Sequence, residues 1–170
     1  MAPREDGLLR RAPLPDDAEA IGRMHHQAWL DSYAHLLPVG WFDEHGPQER
    51  VELWRRVLAE PASDGVRRVA VFRPDGAAVA WCIAGPAREH EGVPPVRDLE
   101  LWGLYVDRSL HGSGLGQELH DWAVGDRPAQ LWRAEGNARA AAFYRRNGFA
   151  DDGTSSASTR HPMVEVRMVR

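Results

Sequence analysis

The chain has one cysteine, Cys82, so no internal disulfide can form, and a reducing cytoplasm is the expected setting. No apolar run approaches the roughly 20 residues that span a bilayer, which excludes a membrane-spanning protein. The opening MAPREDG lacks the apolar segment of a secretory signal, and residues 1–7 read as a flexible leader. With a net charge of −4 and no block of basic residues, the footprint of a nucleic-acid binder is missing. The same balance mildly favours cationic acceptors. His25 and His26 have no partners at metal-ligand spacing, and Cys82 is isolated, so no metal site is expected. Neither an internal repeat nor a linker interrupts the sequence. A single domain over residues 1–170 is the expected organisation.

A chain of 170 residues, 43% hydrophobic and 27% charged, can bury a substantial core. LLRRAPL, residues 8–14, reads as a first strand. Asp16 followed by Glu19 has the spacing of a capping box, and Ile21, Met24, His25 and Ala28 then fall on one helical face. LLPVGWFDEHGP breaks the pattern before a second helix over 48–60, with Val51, Trp54 and Leu58 as its stripe and Pro61 as its stop. VRRVAVF and AAVAWCIAG flank RPDG, a turn sequence, and predict a hairpin. The charged run AREHEGVPPVRD reads as a solvated loop leading to the strand RDLELWGLYV. Leu115, Leu119, Trp122 and Ala123 mark an amphipathic helix ending near Gly125. AQLWRA is a further strand. NARAAAFYRRNGF is a helix with Asn137 suited to the N-cap and Gly148 to the position past its end. The polar run DDGTSSASTRHP then separates Phe149 from a closing strand, MVEVRMV. The order implies an α/β fold with a sheet of mixed direction.

Gly112, Gly114 and Gly116 alternate where a strand gives way to a helix. Each costs a helix about 1 kcal/mol relative to alanine, so a ligand approaching that backbone is the natural reason. Free N–H groups and the positive end of the helix dipole suit a phosphate. A Walker loop would need Lys-Ser/Thr where Gln117 and Glu118 stand. A dinucleotide fingerprint would need Gly or Ala at Gln117.

ELWGLYVDRSLHGSGLGQEL followed by LWRAEGNARAAAFYRRNGF resembles the GCN5-related N-acetyltransferase (GNAT) family. The family's acyl-CoA loop, Arg/Gln-x-x-Gly-x-Gly/Ala, maps onto His111, Gly112, Ser113, Gly114, Leu115 and Gly116. Asn137, Phe143, Tyr144, Gly148 and Phe149 match its closing motif, and AWLDSYAHLLPVGWFDE resembles its passage from helix 1 to helix 2. The resemblance implies a GNAT-type fold, a mostly antiparallel twisted sheet of six to seven strands flanked by about four helices. Acetyl-CoA is the implied co-substrate and a primary amine of a small molecule the acceptor, with acetyl transfer by direct attack in a ternary complex. A protein N-terminus or lysine as acceptor, and a non-catalytic acyl-CoA binder, are the alternatives. Family members are often homodimers.

By resemblance, residues 111–116 receive the pyrophosphate, and His111, standing where the family has Arg or Gln, donates to it with Arg108 adding charge. The backbone of Leu104, Tyr105 and Val106 holds the acyl carbonyl and pantetheine arm, with the Val106 N–H as oxyanion donor. Tyr144 follows Asn137 by seven residues, on nearly the same helix face ~10.5 Å further along. Its phenol is the general acid for the thiolate. Glu100 precedes Val106 by six residues, which on a regular strand puts both on one face ~20 Å apart, and it is the candidate base acting through water. Trp29, Tyr33, His35, Trp41 and Trp81 are the candidate acceptor-cleft residues among a chain with seven tryptophans.

Overall fold

A computed structural model describes residues 6–170; the expected leader falls largely on residues 1–5, outside them. The chain runs β1 (Leu9–Arg11), α1 (Ala18–Tyr33), α2 (Trp41–Glu44), α3 (Pro47–Ala59), β2 (Arg67–Phe72), β3 (Ala78–Pro86) and β4 (Leu99–Val106). It continues α4 (Leu115–Ala123), β5 (Gln130–Ala134), α5 (Ala138–Arg146), β6 (Ala150–Ala157) and β7 (Val164–Val169). Among the described residues, seven strands form one sheet in the order β1-β2-β3-β4-β5-β7-β6. All neighbours are antiparallel except β4 and β5. Five α-helices among the described residues flank the sheet, the α/β arrangement expected from the sequence.

The central strands bury both faces, so they read as near-continuous apolar runs. Val69, Val71, Val79 and Cys82 face α4 through Leu115 and Leu119, while Ala70, Phe72, Trp81 and Ile83 face α1 and α3 through Ile21, Met24, Trp54 and Leu58. The predicted hairpin is β2–β3, closed by the Arg73 N–H donating to the Ala77 carbonyl at 2.9 Å. The predicted N-cap of α5 also forms: Asn137 Oδ1 accepts from the Ala140 N–H at 3.0 Å.

Four local readings need correction. The capping box at Asp16 and Glu19 does not form. Asp17 precedes α1 and accepts from the Leu14 N–H and from Arg11, while Glu19 pairs with Arg23 one turn on. A fifth helix, the single turn α2, lies inside LLPVGWFDEHGP. The AREHEGVPPVRD loop is anchored on the sheet by His90, which stacks on Trp132 with 4.2 Å between ring centroids. The polar run 151–157 continues from Ala150 as β6, an edge strand paired to β7. Its faces are mostly solvated, so it needs no apolar residues, and Asp151 and Asp152 tie it to Arg133 and Arg167.

Two irregularities of β4 shape the middle of the sheet. Its pairing with β3 steps from Ile83↔Gly103 to Ala84↔Leu101, leaving Trp102 as a bulged extra residue. Leu99 and Leu101 therefore share a face with Leu104 and Val106, while Trp102 and Tyr105 face α1 and α3. The pairing of β4 with β5 is confined to Glu100↔Gln130 and Leu101↔Leu131. Beyond those positions the two strands part. No helix among the described residues is long and apolar enough to cross a membrane.

Candidate active site

The parting of β4 from β5 opens a cleft of about 850 Å³. At one end stands the entrance of α4. Gly112 and Gly114 adopt φ of +84° and +88°, conformations that a side chain strains, and Gly114 is the residue from which the helix starts. Gly116 has ordinary backbone angles, and a Cβ there would make only van der Waals contact with Val106 and Phe143. The N–H groups of Gly112, Gly114, Gly116 and Gln117 meet no acceptor among the described residues, as expected for a helix start. Gly112, Gly114, Gly116 and Gln117 line the cleft. Ser113 and Leu115 do not line it: the Ser113 hydroxyl donates to the Leu110 carbonyl, and the Leu115 side chain is core.

His111 lines the cleft with both ring nitrogens engaged. Nε2 donates to the Val106 carbonyl at 3.0 Å, and Nδ1 accepts from the Arg139 guanidinium. Partial burial and then the Arg139 charge hold its pKa below the usual imidazole range. This is a neutral histidine aimed at its own chain. Arg139, on the first turn of α5 and bonded to His111, lines the cleft, whereas Arg108 is exposed and does not.

On β4 the Asp107 N–H donates to the Val79 carbonyl of β3 at 2.7 Å. By strand alternation the Val106 N–H and C=O turn to the opposite, open side. Leu104, Tyr105 and Val106 all line the cleft. Tyr144 reaches it from α5. Its ring packs between Phe143 and Phe149, and its hydroxyl has no partner among the described residues. Burial pushes the phenol well above its ordinary range, so it is protonated. Asn137 also lines the cleft, although its Oδ1 is committed to the helix cap.

Glu100 lies elsewhere. The bulge at Trp102 breaks the alternation that would put it on the face of Val106. Its buried carboxylate accepts from Gln130 Nε2 at 2.9 Å and from Arg88 at 3.3 Å, outside the cleft lining.

The other end of the cleft is aromatic. Trp29, Tyr33, Trp41 and Trp81 line it. Trp29 Nε1 donates to the Tyr105 hydroxyl at 3.1 Å, and the Tyr33 and Tyr105 hydroxyls lie 3.0 Å apart. Trp81 stacks on Tyr105 and runs across Gly103, where a Cβ would come within 2.5 Å of its ring. His35 does not belong to this wall. α1 ends at Tyr33, and the following turn leaves His35 exposed while Leu37 packs inward.

Three further residues here carry no local sequence signal. His25 is buried with its ring 4.8 Å from Trp81 and 4.9 Å from Tyr105. Trp54 Nε1 donates to its Nδ1 at 3.1 Å, which leaves the proton of the neutral ring on Nε2. His161 meets the edge of Trp29 at 5.4 Å. Arg50 lies over the Trp29 ring, its Cζ 3.8 Å from the centroid. Among the described residues no group of three or more His, Cys, Asp or Glu could hold a metal ion.

A family model described as an acetyltransferase (GNAT) domain matches residues 66–151. Among solved structures, a phosphinothricin acetyltransferase from Sinorhizobium meliloti in complex with AcCoA superposes with a TM-score of 0.64 at 18% identity, over 96% of this chain and 88% of that one. The PaiA N-acetyltransferase from Thermoplasma acidophilum in complex with coenzyme A gives 0.62 at 13%, over 94% and 97%. The ribosomal-protein-S18-alanine N-acetyltransferase from Escherichia coli gives 0.58 at 16%, over 95% and 92%. No curated protein sequence matches. At these identities the structures speak for the fold, and the domain match, covering half of the chain, makes it a member of the GNAT acetyltransferase family.

Proposed function

We propose that the chain transfers the acetyl group of acetyl-CoA directly to the amine of a small molecule held with it in one cleft. The observation that carries this reading is the cleft itself, with unpartnered amides and Arg139 at one end, an unpartnered Tyr144 hydroxyl within it, and aromatic walls at the other end. The amides of Gly112, Gly114, Gly116 and Gln117 suit a pyrophosphate. Arg139 supplies the charge that the family's loop draws from its first residue, and His111 positions Arg139. Leu104 and Val106 offer backbone groups on the open side of β4 to the pantetheine arm.

The amine enters as the free base, and its nitrogen attacks the thioester carbon. A C–N bond forms while the carbonyl electrons move to oxygen, where the Val106 N–H receives them. The oxyanion electrons then return to re-form the carbonyl as the C–S bond breaks with its electron pair leaving on sulfur, and the Tyr144 hydroxyl donates to that sulfur. With its pKa raised by burial, Tyr144 stays protonated as a hydrogen-bond donor until its proton passes to sulfur; the nitrogen's proton leaves to water, and a proton from water restores the phenol. Glu100, committed to Gln130 and Arg88, stands outside this path. The aromatic enclosure favours a small acceptor over a protein segment, which would need an open groove.

Calorimetric titration with acetyl-CoA, CoA and NAD tests the donor half. Binding of the first two and not of NAD is expected, followed by thiol release with an amine. Absence of acetyl-CoA binding overturns the reading.

A further inference from the structure

We infer that the acceptor amine carries an anionic oxygen group, a carboxylate or phosphonate, and that Arg50 receives it. The inference rests on the acetyl-transfer reading and names the acceptor class for the same cleft. Arg50, on α3, lies over Trp29, and Trp29 holds the hydroxyl of Tyr105, the residue before Val106. The guanidinium is thus two side chains removed from the proposed oxyanion donor, on the aromatic side.

Its lack of a partner is what points to a ligand. Seven arginines line the cleft against three acidic residues. Arg68, Arg88, Arg133, Arg139 and Arg160 each meet a carbonyl, a carboxylate or an imidazole of the chain. Of the remaining two, Arg146 is exposed to water, while Arg50 is half-buried with no hydrogen bond or ion pair among the described residues. Withdrawing a guanidinium from water without an acceptor is costly, and an anion arriving with the substrate removes that cost. Burial accordingly presses its pKa below the usual arginine value. The contact with the Trp29 face uses none of the guanidinium's N–H groups, which stay available to a bidentate oxygen pair.

Each acidic residue of the cleft has a polar neighbour. Glu49 accepts from His45 Nδ1 at 3.0 Å, and Asp31 from Gln27 at 3.1 Å. Glu165 lies 3.0 Å from His90 Nε2 and 3.9 Å from Arg160. A polycationic amine would face seven arginine side chains against these three carboxylates, Arg50 and Arg160 among them. The local charge therefore opposes the bias suggested by the net charge of the whole chain. All 21 basic residues are arginines, whose protonated guanidinium groups do not compete with the substrate for the acetyl group.

The test uses matched pairs. Each proteinogenic L-amino acid is assayed against its decarboxylated amine, and 2-aminoethylphosphonate against ethylamine, by CoA-thiol release from acetyl-CoA. At least one anionic member should exceed its neutral counterpart in kcat/KM by tenfold or more. That ratio should fall to within about twofold in Arg50→Gln and to an intermediate value in Arg50→Lys, with acetyl-CoA affinity unchanged in both variants as the sign of an intact fold and donor site. Equal or better turnover of the neutral members overturns the inference, as does a ratio that survives Arg50→Gln. Binding of acetyl-CoA with turnover of no pair also overturns it while leaving the donor reading standing. Failure to bind acetyl-CoA removes both.

Discussion

His111 and Arg139 face each other across the mouth of the cleft, the imidazole Nδ1 accepting from the guanidinium while Nε2 donates to the Val106 carbonyl. The loop residue is therefore a prop for a cation from another helix. Because burial and the neighbouring Arg139 charge lower the His111 pKa, the ring is neutral across the physiological range. Acetyl-CoA affinity should be flat between pH 6 and 8.5. Arg139→Ala should raise Kd about tenfold, or about 1.4 kcal/mol, and His111→Ala by a smaller factor. Calorimetry at several pH values reads all three, and a Kd that rises through pH 6.5 in the wild type would show a charged His111 at work.

Tyr144→Phe removes a hydroxyl that has no partner among the described residues, so it leaves no buried group unsatisfied. The melting temperature should stay within a degree or two of the wild type, while kcat falls on the order of 10²-fold with little change in KM. Steady-state kinetics beside a thermal melt separates this from a packing defect.

For Glu100→Gln the expectation is reversed. Its carboxylate organises Gln130 and Arg88 on the far side of the bulge, so loss of charge should cost about 1 kcal/mol of stability. kcat/KM and the acid-side limb of its pH profile should be untouched. A profile whose limb disappears in the variant would return Glu100 to the proton path.

Stability should decline as the medium becomes acidic. Burial, and then the charges of Arg50 and His26, hold His25 well below the usual imidazole range. Its unfolded counterpart titrates near pH 6.5. Below that pH the unfolded chain binds a proton that the folded chain refuses, so folding stability is full above about 6.5 and is lost as pH falls. Each such histidine contributes up to about 1.4 kcal/mol per pH unit. Urea unfolding at pH 7.5 and 5.5 should show the loss, and His25→Gln, which still offers Trp54 an acceptor, should make it shallower. An unchanged slope would assign the effect to other groups, His120 and His161 among them.

The hairpin, the amphipathic helices and the cap at Asn137 were legible because each is set by residues within one turn or one strand. The glycine entrance was legible for the same reason. What escaped reading depends on distant partners. The bulge at Trp102 is a property of the β3–β4 register, invisible in β4 alone, and it moved Glu100 off the face of Val106. β6 escaped because an edge strand can satisfy its backbone on β7 without apolar side chains. Arg50 and Arg139 look like ordinary helix-surface charges until α3 and α5 are seen against the cleft. His35 failed in the other direction, since one turn after α1 was enough to carry it out to solvent.

The brief pairing of β4 with β5 means that the sheet possesses a third edge, hidden in its middle. Outer edges are dangerous because they offer themselves to any passing strand. This inner one is screened by helices and admits only something as thin as an extended chain. A cofactor arm lying there would complete hydrogen bonding that the polypeptide leaves open, serving as a length of sheet that is not protein. The amides of Leu104 and Val106 should then exchange with solvent rapidly in the free protein and slowly once CoA is bound, so that saturating the site also knits the two halves of the molecule together.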